Sequence, residues 1–424
     1  MPSDIPVNAN LPDLSPYVRP GDTVFWGQAS SEPITLTRAL VAQRHRWGRL
    51  RLVFGIDTGR TLKPEYADAF DFVSYTGAGV NRLLAQAGVL DIFACPYSQL
   101  PDALQTGMLK VDVVLIQVSS PDANGHHSLG ISNDLLIAAL AQARVVIAEV
   151  NPKVPRTFGE RTLHVDDIDC CVPAQFDPLE IMPTKAPSPL ERTIASHVAS
   201  LIDDGVTLQL GVGGVSDAVL HMLKDRRHLG LHSGIVGDGV VALYESGALT
   251  NALKTIDPGV SVTGVLMGSQ RLFRWAHENP KLQLRGSGYT HNPEVLRQLE
   301  RFVAINSAIE IDLTGQVNAE VAAGQYLGAV GGAPDFLRAA QRSRGGIPIV
   351  ALASTASAQS RIVAKLSGPV TTSRSDAGVF VTEHGIADLR GLTLRARMER
   401  MIAIAAPEHR SELAQAASKT GGLS

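Results

Sequence analysis

Short runs of β-branched and aromatic residues alternate with longer alanine- and leucine-rich segments along nearly the whole chain. The short runs are typical of strands, and the longer segments favour helices. Repeated alternation of the two predicts an α/β fold with crossover connections. The predicted strands are Thr23–Trp26, Leu50–Phe54, Val111–Val118, Arg144–Val150, Val206–Val212, Ser261–Met267, Phe302–Asn306, Ile347–Leu352 and Gly378–Thr382.

Two of these runs, Val111–Val118 and Arg144–Val150, are continuously apolar at their centres. Such runs indicate strands that are buried on both faces of a parallel sheet. Between them, Asn133–Ala143 has helical periodicity with Asn and Asp at its start, which predicts a helix. The segment therefore predicts a strand–helix–strand unit.

The chain has 424 residues, which exceeds the roughly 250–300 residues at which single cores stop growing. A proline-rich segment at 173–189 follows the last N-terminal strand, and this composition suits a linker. We therefore predict an N-terminal domain over 1–185 and a C-terminal domain over 186–424. Each is expected to contain a mostly parallel sheet flanked by helices.

Two glycine turns with the same spacing stand in the C-terminal half: Gly213 and Gly214 precede Asp217, and Gly331 and Gly332 precede Asp335. Glycine lets backbone approach a ligand closely, and the following helix directs free N–H groups toward an anion. A structural turn is the other reading of each. The first turn lacks the third glycine of a dinucleotide fingerprint, and no glycine run ends in Gly-Lys-Ser/Thr, so NAD and P-loop enzymes are disfavoured.

Composition narrows the classes of partner. The net charge is −3 with no extended basic run, which argues against nucleic acid and anionic membranes. No secretory signal or apolar stretch of membrane-spanning length is visible, and three cysteines favour a reducing cytoplasm. The adjacent His126 and His127 lack a helical carboxylate–histidine pattern, so we predict no metal site.

Several long blocks together resemble the acetyl-CoA hydrolase and 4-hydroxybutyrate CoA-transferase family. They are LQLGVGGVSDAVL (208–220), GDGVVALYESGALTN (237–251), INSAIEIDLTGQVNAE (305–320), GAVGGAPDFLRAA (328–340) and residues 370–410. The resemblance implies two α/β domains of related topology with coenzyme A in the cleft between them. It also implies acyl-CoA and a small carboxylic acid as substrates, and a homodimer. We expect Gly213, Gly214, Gly234, Gly331 and Gly332 to line the CoA site.

The family chemistry implied by the resemblance is a ping-pong transfer through a glutamate. Its carboxylate attacks the thioester, forms an acyl anhydride, and then holds CoA as a glutamyl thioester. Backbone N–H groups of the glycine turns would stabilise the oxyanion. In this chain the glutamate position, after His232 and Ser233, is Gly234. Glycine cannot form an acyl-enzyme.

Three interpretations remain open. Another carboxylate serves as nucleophile, or the protein hydrolyses or rearranges acyl-CoA without a covalent glutamate, or it binds acyl-CoA without turnover, as a sensor or inactive subunit. We favour transfer over hydrolysis, and hydrolysis over binding alone. For the first interpretation Glu32, just after a predicted strand, and Glu65, in a loop, are the catalytic candidates. Further carboxylates in the family-like blocks are Glu310, Glu320 and Glu383.

Overall fold

The computed structural model describes residues 11–181 and 186–419. Its N-terminal part forms a seven-stranded sheet in which all strand pairs are parallel. Along the chain the strands are β1 Thr23–Trp26, β2 Leu50–Phe54, β3 Phe70–Ser74, β4 Leu90–Ile92, β5 Val113–Val118, β6 Val145–Val150 and β7 Cys170–Pro173. Their order across the sheet is β7-β6-β5-β1-β2-β3-β4.

Both faces of this sheet are covered. In β5, Val113 and Leu115 pack into the core on one face, while Val114 and Ile116 pack into the core on the other. Successive side chains of a strand point to opposite faces of the sheet, and here both faces are buried. This explains why the whole run is apolar. The α-helices of this part are Ile34–Ala42, Asn81–Gln86, Leu100–Gln105 and Leu136–Gln142.

The C-terminal part contains a six-stranded sheet that is parallel except for the last pair. Its strands are β8 Thr207–Leu210, β9 Gly230–Leu231, β10 Phe302–Asn306, β11 Ile347–Ala351, β12 Val379–Thr382 and β13 Gly385–Asp388, ordered β9-β8-β10-β11-β12-β13. The α-helices are Pro189–Ser200, Gly214–Met222, Gly239–Glu245, Gln270–Ala276, Ser287–Thr290, Pro293–Leu296, Ala333–Arg342, Leu394–Ala403 and Arg410–Lys419. Two mostly parallel sheets flanked by helices confirm the predicted α/β class.

Short strands outside the two large sheets form small ribbons. They are His126–Ser128, Phe158–Gly159, Thr162–His164, Ile235–Val236, Ser261–Thr263, Val265–Leu266, Leu282–Leu284, Glu310–Asp312, Val317–Asn318, Val321–Ala322, Gln325–Tyr326, Thr355–Ala356, Gln359–Ser360 and Ile362–Val363. The predicted strand Ser261–Met267 is wrong as one element, because it divides at Gly264 into pieces that join different ribbons. A Cβ on Gly264 would lie only 2.8 Å from the carbonyl oxygen of Gly234, so the backbones are in close contact there.

The predicted helix over Asn133–Ala143 begins only at Leu136. Asn133 and Asp134 are held instead by the C-terminal half of the chain: the N–H of Asn133 donates to the carbonyl of Gly264 at 3.1 Å. Asp134 has φ +22°, outside the helical region. A tertiary contact therefore overrides the helical pattern at this point.

The segment between the two sheets begins and ends close to the predicted positions. Strand β7 ends at Pro173, and the next helix is Pro189–Ser200. Its N-cap residue is Ser188, which forms a capping box with Glu191. The predicted boundary itself runs between residues 185 and 186, and Lys185 lies outside the described residues. The division into domains 1–185 and 186–424 stays a proposal.

The two sheets meet through the loops that follow their strands. After β3, the Thr76 hydroxyl and the Gly77 N–H both donate to the carbonyl of Gly328, at 3.1 and 2.8 Å. After β4, the N–H of Tyr97 donates to the carbonyl of Gly331 at 3.0 Å. The carboxyl ends of N-terminal strands are therefore fixed against the second glycine turn.

Candidate functional site

The loops that leave both sheets enclose a cavity of about 430 Å³. Its position beyond the carboxyl ends of parallel strands is where α/β sheets bind ligands, and its volume suits a small molecule. The N-terminal half contributes Gln28, Ile56, Tyr75, Thr76, Ala78, Tyr97 and Asp134, and the C-terminal half contributes Gln209, Gly211, Gly234, Ile235, Val265, His291, Asn306, Gly328, Ala329, Gly331, Gly332, Ala333 and Phe336.

A buried polar network surrounds Asp134 on the N-terminal side of the cavity. The Gln28 amide donates to Oδ2 of Asp134 at 2.5 Å, and the Tyr97 hydroxyl donates to the same oxygen at 2.6 Å. The Tyr75 hydroxyl donates to the carbonyl oxygen of Gln28 at 2.5 Å, which fixes the orientation of the amide. Both side-chain donors thus reach Oδ2, and no side chain of the described residues donates to Oδ1.

The environment of Asp134 weakens its acidity. Burial raises the pKa of this carboxyl to about 6, while the hydrogen bonds from Tyr97 and Gln28 partly offset the effect. Asp134 is also the only carboxylate among the described residues that line the cavity. A buried carboxylate with a raised pKa in a ligand-sized cleft is a candidate for chemistry.

On the opposite side the ends of β8 and β10 present a pair of amides. The Asn306 amide donates to Oε1 of Gln209 at 2.9 Å. Both side chains line the cavity, and they stand at the carboxyl ends of two adjacent strands. Such amides suit hydrogen bonding to a carboxylate or a carbonyl oxygen of a substrate.

His291 forms part of the cavity wall and packs against two aromatic rings. The centroid of its ring lies 4.7 Å from that of Tyr97 and 4.5 Å from that of Phe336. Its Nδ1 lies 2.9 Å from the hydroxyl oxygen of Thr290. Burial, with a smaller effect of His232, lowers the pKa of His291 to about 3, so the imidazole is neutral at neutral pH.

Gly234, where the resemblance led us to expect a glutamate, lies directly against this imidazole. A Cβ on Gly234 would lie 2.5 Å from Cε1 and 2.7 Å from Nε2 of His291. Gly332 packs on the same ring, because its Cβ would lie 2.5 Å from Nε2. The imidazole thus occupies the space where side chains at 234 and 332 would begin.

The five glycines expected at the CoA site are brought together only in part. Gly234, Gly331 and Gly332 line the cavity, whereas Gly213 and Gly214 do not, although Gly211 of the same turn does. Gly214 packs against Glu191, whose Oε1 would lie 2.1 Å from a Cβ there. Helix packing therefore accounts for Gly214.

Glu32 lies outside the cavity lining and is buried in the N-terminal part, with 2% of its surface exposed. Its carboxyl accepts hydrogen bonds from the Thr37 hydroxyl at 2.9 Å and the Gly59 N–H at 3.2 Å. Burial and the neighbouring Asp57 raise its pKa to about 8. The position does not favour attack on a ligand in the cavity, and the catalytic role of Glu32 stays a prediction.

Glu65 also lies outside the cavity lining. It sits in the 3₁₀ helix Pro64–Asp68, which returns the chain to the start of β3, and its exposed carboxylate lies 3.8 Å from Nζ of Lys63. This is the amino edge of a parallel sheet, opposite the edge at which the cavity lies. A catalytic role for Glu65 is likewise a prediction that its position does not favour.

The three other carboxylates of the family-like blocks make hydrogen bonds within the fold. Glu310 accepts from Asn318 and Ser367, Glu320 from Thr371 and Tyr326, and Glu383 from Ser354. None of them lines the cavity. These contacts fit a role in supporting the loops.

Sequence reasoning missed Asp134 and His291. Asp134 lies at the start of a segment with helical periodicity, and its place in the cavity depends on tertiary contacts with Tyr97, Gln28 and Ser287. His291 stands outside every motif considered. The one available signal was Gly234 itself, since a missing side chain in a family-like block leaves space for another group to fill.

Neither a metal site nor a membrane-spanning helix is found in the described ranges. No group of histidine, cysteine and acidic side chains there is arranged to hold a metal ion. No helix in residues 11–181 or 186–419 is long and apolar enough to cross a membrane. Met401 of helix Leu394–Ala403 packs in the core of the C-terminal part. This contact leaves the homodimer untested, and it stays a prediction from the resemblance.

Comparison with known proteins assigns the chain to a family. Residues 9–183 match the acetyl-CoA hydrolase/transferase N-terminal domain, and residues 268–417 match the C-terminal domain. The chain is 39% identical over 399 residues to a 4-hydroxybutyrate coenzyme A transferase of Clostridium kluyveri, covering 92% of both chains. A succinyl-CoA:acetate/propanoyl-CoA:succinate CoA transferase of Fasciola hepatica is 37% identical, over 81% of this chain and 73% of that one.

Solved structures agree with this assignment. The fold matches RipA from Yersinia pestis with a TM-score of 0.91 at 33% identity, over 95% of both chains. It matches a 4-hydroxybutyrate CoA-transferase from Porphyromonas gingivalis with a TM-score of 0.80 at 33% identity, over 96% of both. The protein belongs to the acetyl-CoA hydrolase/transferase family.

Proposed function

We propose that this protein is an enzyme that transfers CoA from an acyl-CoA to a small carboxylic acid. The observation that carries the proposal is the cavity at the meeting edge of the two sheets, in a chain that is similar over nearly its full length to CoA transferases. The acids in the relatives' names include 4-hydroxybutyrate, cyclohexane-1-carboxylate and succinate, so the proposal covers the class of carboxylic acids and no single acyl group. The cytoplasm is the proposed location.

The cavity offers groups suited to a thioester. Gly211 and Gly331 leave its wall without side chains, and no atom lies within 4 Å of a Cβ built on Gly211. Backbone can therefore approach the carbonyl oxygen, where N–H groups stabilise a developing oxyanion. The amides of Gln209 and Asn306 are placed to bind the carboxylate of a small acid.

Asp134 is our candidate for the carboxylate that the chemistry requires. Its attack on the thioester carbon gives an acyl-aspartyl anhydride and releases the CoA thiolate. The thiolate then attacks the aspartyl carbonyl, so that the donor acid leaves and an aspartyl–CoA thioester remains. The carboxylate of the acceptor acid attacks the aspartyl–CoA thioester, which gives a second anhydride and releases the CoA thiolate. The thiolate then attacks the acceptor's acyl carbonyl, so that the new acyl-CoA forms and the Asp134 carboxylate leaves.

Mass spectrometry tests this route. We expect the protein incubated with acetyl-CoA and no acceptor to gain the mass of CoA less water, with fragmentation locating the gain at Asp134. Glu32 and Glu65 are the predicted alternatives in the same experiment. A gain at either of them would move the nucleophile there, and no adduct together with no transfer to propionate would reject the proposed function.

The pH dependence of transfer should report the ionisation of Asp134. The carboxylate is the nucleophile and its pKa is about 6, so kcat/KM for transfer should fall as the pH drops through about 6. Tyr97→Phe removes a hydrogen bond that lowers this pKa, and the acidic limb should therefore move to higher pH. The carboxyl also accepts hydrogen bonds from the Gln28 amide, which contacts Tyr75, and from the backbone N–H of Leu135. An acidic limb that does not move in Tyr97→Phe would contradict the assignment.

A further inference from the structure

Two glycines make room for His291. Side chains on Gly234 and Gly332 would each begin about 2.5 Å from the imidazole, at Cε1 and at Nε2. Contacts this short do not occur between real atoms, so the ring depends on glycine at both positions. The site therefore holds an imidazole where the family's reaction scheme places a glutamate.

Hydrogen bonding orients the ring. Nδ1 lies 2.9 Å from Oγ1 of Thr290, which lies 3.4 Å from the carbonyl oxygen of Gly286. The tautomer with the proton on Nδ1 satisfies both contacts, because Nδ1–H donates to Thr290 and the hydroxyl donates to Gly286. Nε2 is then an acceptor, and it has no hydrogen-bond partner among residues 11–181 and 186–419.

The surroundings of the ring keep it neutral, so Nε2 carries an unshared lone pair. Burial, with a smaller effect of His232, opposes protonation of the ring, so Nε2 gains a proton only while negative charge develops on the bound acyl group. The ring centroids of Tyr97 and Phe336 lie 4.7 and 4.5 Å from that of the imidazole, and nearby aromatic rings favour a cation. The Tyr97 hydroxyl in turn donates to Oδ2 of Asp134.

We propose that His291 is a catalytic base of this cavity, and that it directs water onto the acyl group of a bound acyl-CoA. The water oxygen adds to the thioester carbon while one of its protons passes to Nε2. Collapse of the tetrahedral intermediate breaks the C–S bond, and the proton on Nε2 passes to sulfur. The products are the free acid and the CoA thiol. The inference rests on acyl-CoA binding in the cavity, as in the proposed function, but not on Asp134.

Hydrolysis is measured with acetyl-CoA and no acceptor acid, by the appearance of free thiol. We expect steady release by the unaltered protein, and a loss of about 100-fold or more in kcat in His291→Asn, with little change in KM. In His291→Ala the space left by the ring should accept added imidazole, which should restore part of the rate. A residue that merely supports the fold would not be rescued by a free base.

Transfer is followed separately, as formation of propionyl-CoA from acetyl-CoA and propionate. Failure to release thiol without acceptor, or unchanged hydrolysis in His291→Asn, overturns the inference even if transfer proceeds. Hydrolysis that depends on His291, without any propionyl-CoA, supports the inference and rejects the proposed function. Absence of rescue by imidazole, in a folded His291→Ala that has lost hydrolysis, also counts against a base at this position.

Discussion

A glutamate introduced at position 234 should form a covalent CoA adduct only when His291 is removed at the same time. Gly234→Glu combined with His291→Ala is expected to gain the mass of CoA less water on incubation with acetyl-CoA, with the gain located at residue 234. Gly234→Glu alone should form no adduct there. The single variant should thus carry no CoA adduct at residue 234, whereas a substantial fraction of the double variant should carry one.

The reason is steric. A Cβ at 234 would lie 2.5 Å from the imidazole, which packs against the rings of Tyr97 and Phe336. In the single variant the two side chains compete for one space, and overpacking of this kind costs about 1–3 kcal/mol of stability. Alanine at 291 opens the space. The backbone at Gly234 is outside the left-handed region, so a non-glycine residue is accepted without strain.

Gly234→Gln with His291→Ala is the matched control, since it has the same size and lacks the carboxylate. It should form no adduct. Thermal melts separate folding from chemistry: we expect a lower Tm for Gly234→Glu alone than for the double variant. An adduct at 234 in the single variant, with an unchanged Tm, would mean that His291 does not block this position.

Asp134→Asn should lower the rate of CoA transfer by roughly 1,000-fold or more, because removal of a covalent nucleophile eliminates the whole pathway that depends on it. The amide has nearly the same shape and can still accept hydrogen bonds from Tyr97 and Gln28 at its oxygen. We therefore expect the fold and the affinity for CoA to change little. The measurement is propionyl-CoA formation, together with calorimetry of CoA binding.

Asp335→Asn provides the comparison. Burial raises the pKa of Asp335 to about 6 as well, but its carboxylate binds the hydroxyl and N–H of Ser98 and does not line the cavity. Loss of that contact should lower stability while transfer by the folded protein persists. Equal losses of transfer in both variants would indicate that Asp134 supports the structure without reacting.

Local patterns in the sequence are sufficient to predict the α/β architecture. Alternating apolar runs are a local signal, and in Thr23–Trp26, Leu50–Phe54 and Phe302–Asn306 the predicted strands have the observed bounds. The glycine turns before Asp217 and Asp335 also precede helices as expected. Strand, turn and helix signals of this kind come from neighbouring residues, so no tertiary contact is needed to read them.

The site was decided by tertiary contacts. Asp134 is separated by 37 residues from Tyr97 and by 106 from Gln28, and both side chains contact its carboxyl. These contacts hold Asp134 at the cavity, whereas Glu32 lies outside the cavity lining. His291 fills the space at Gly234 across 57 residues of sequence, from position 234 to position 291. Which carboxylate faces a ligand, and which side chain occupies a vacant position, depend on how the two sheets pack. A pattern along one chain does not contain that packing.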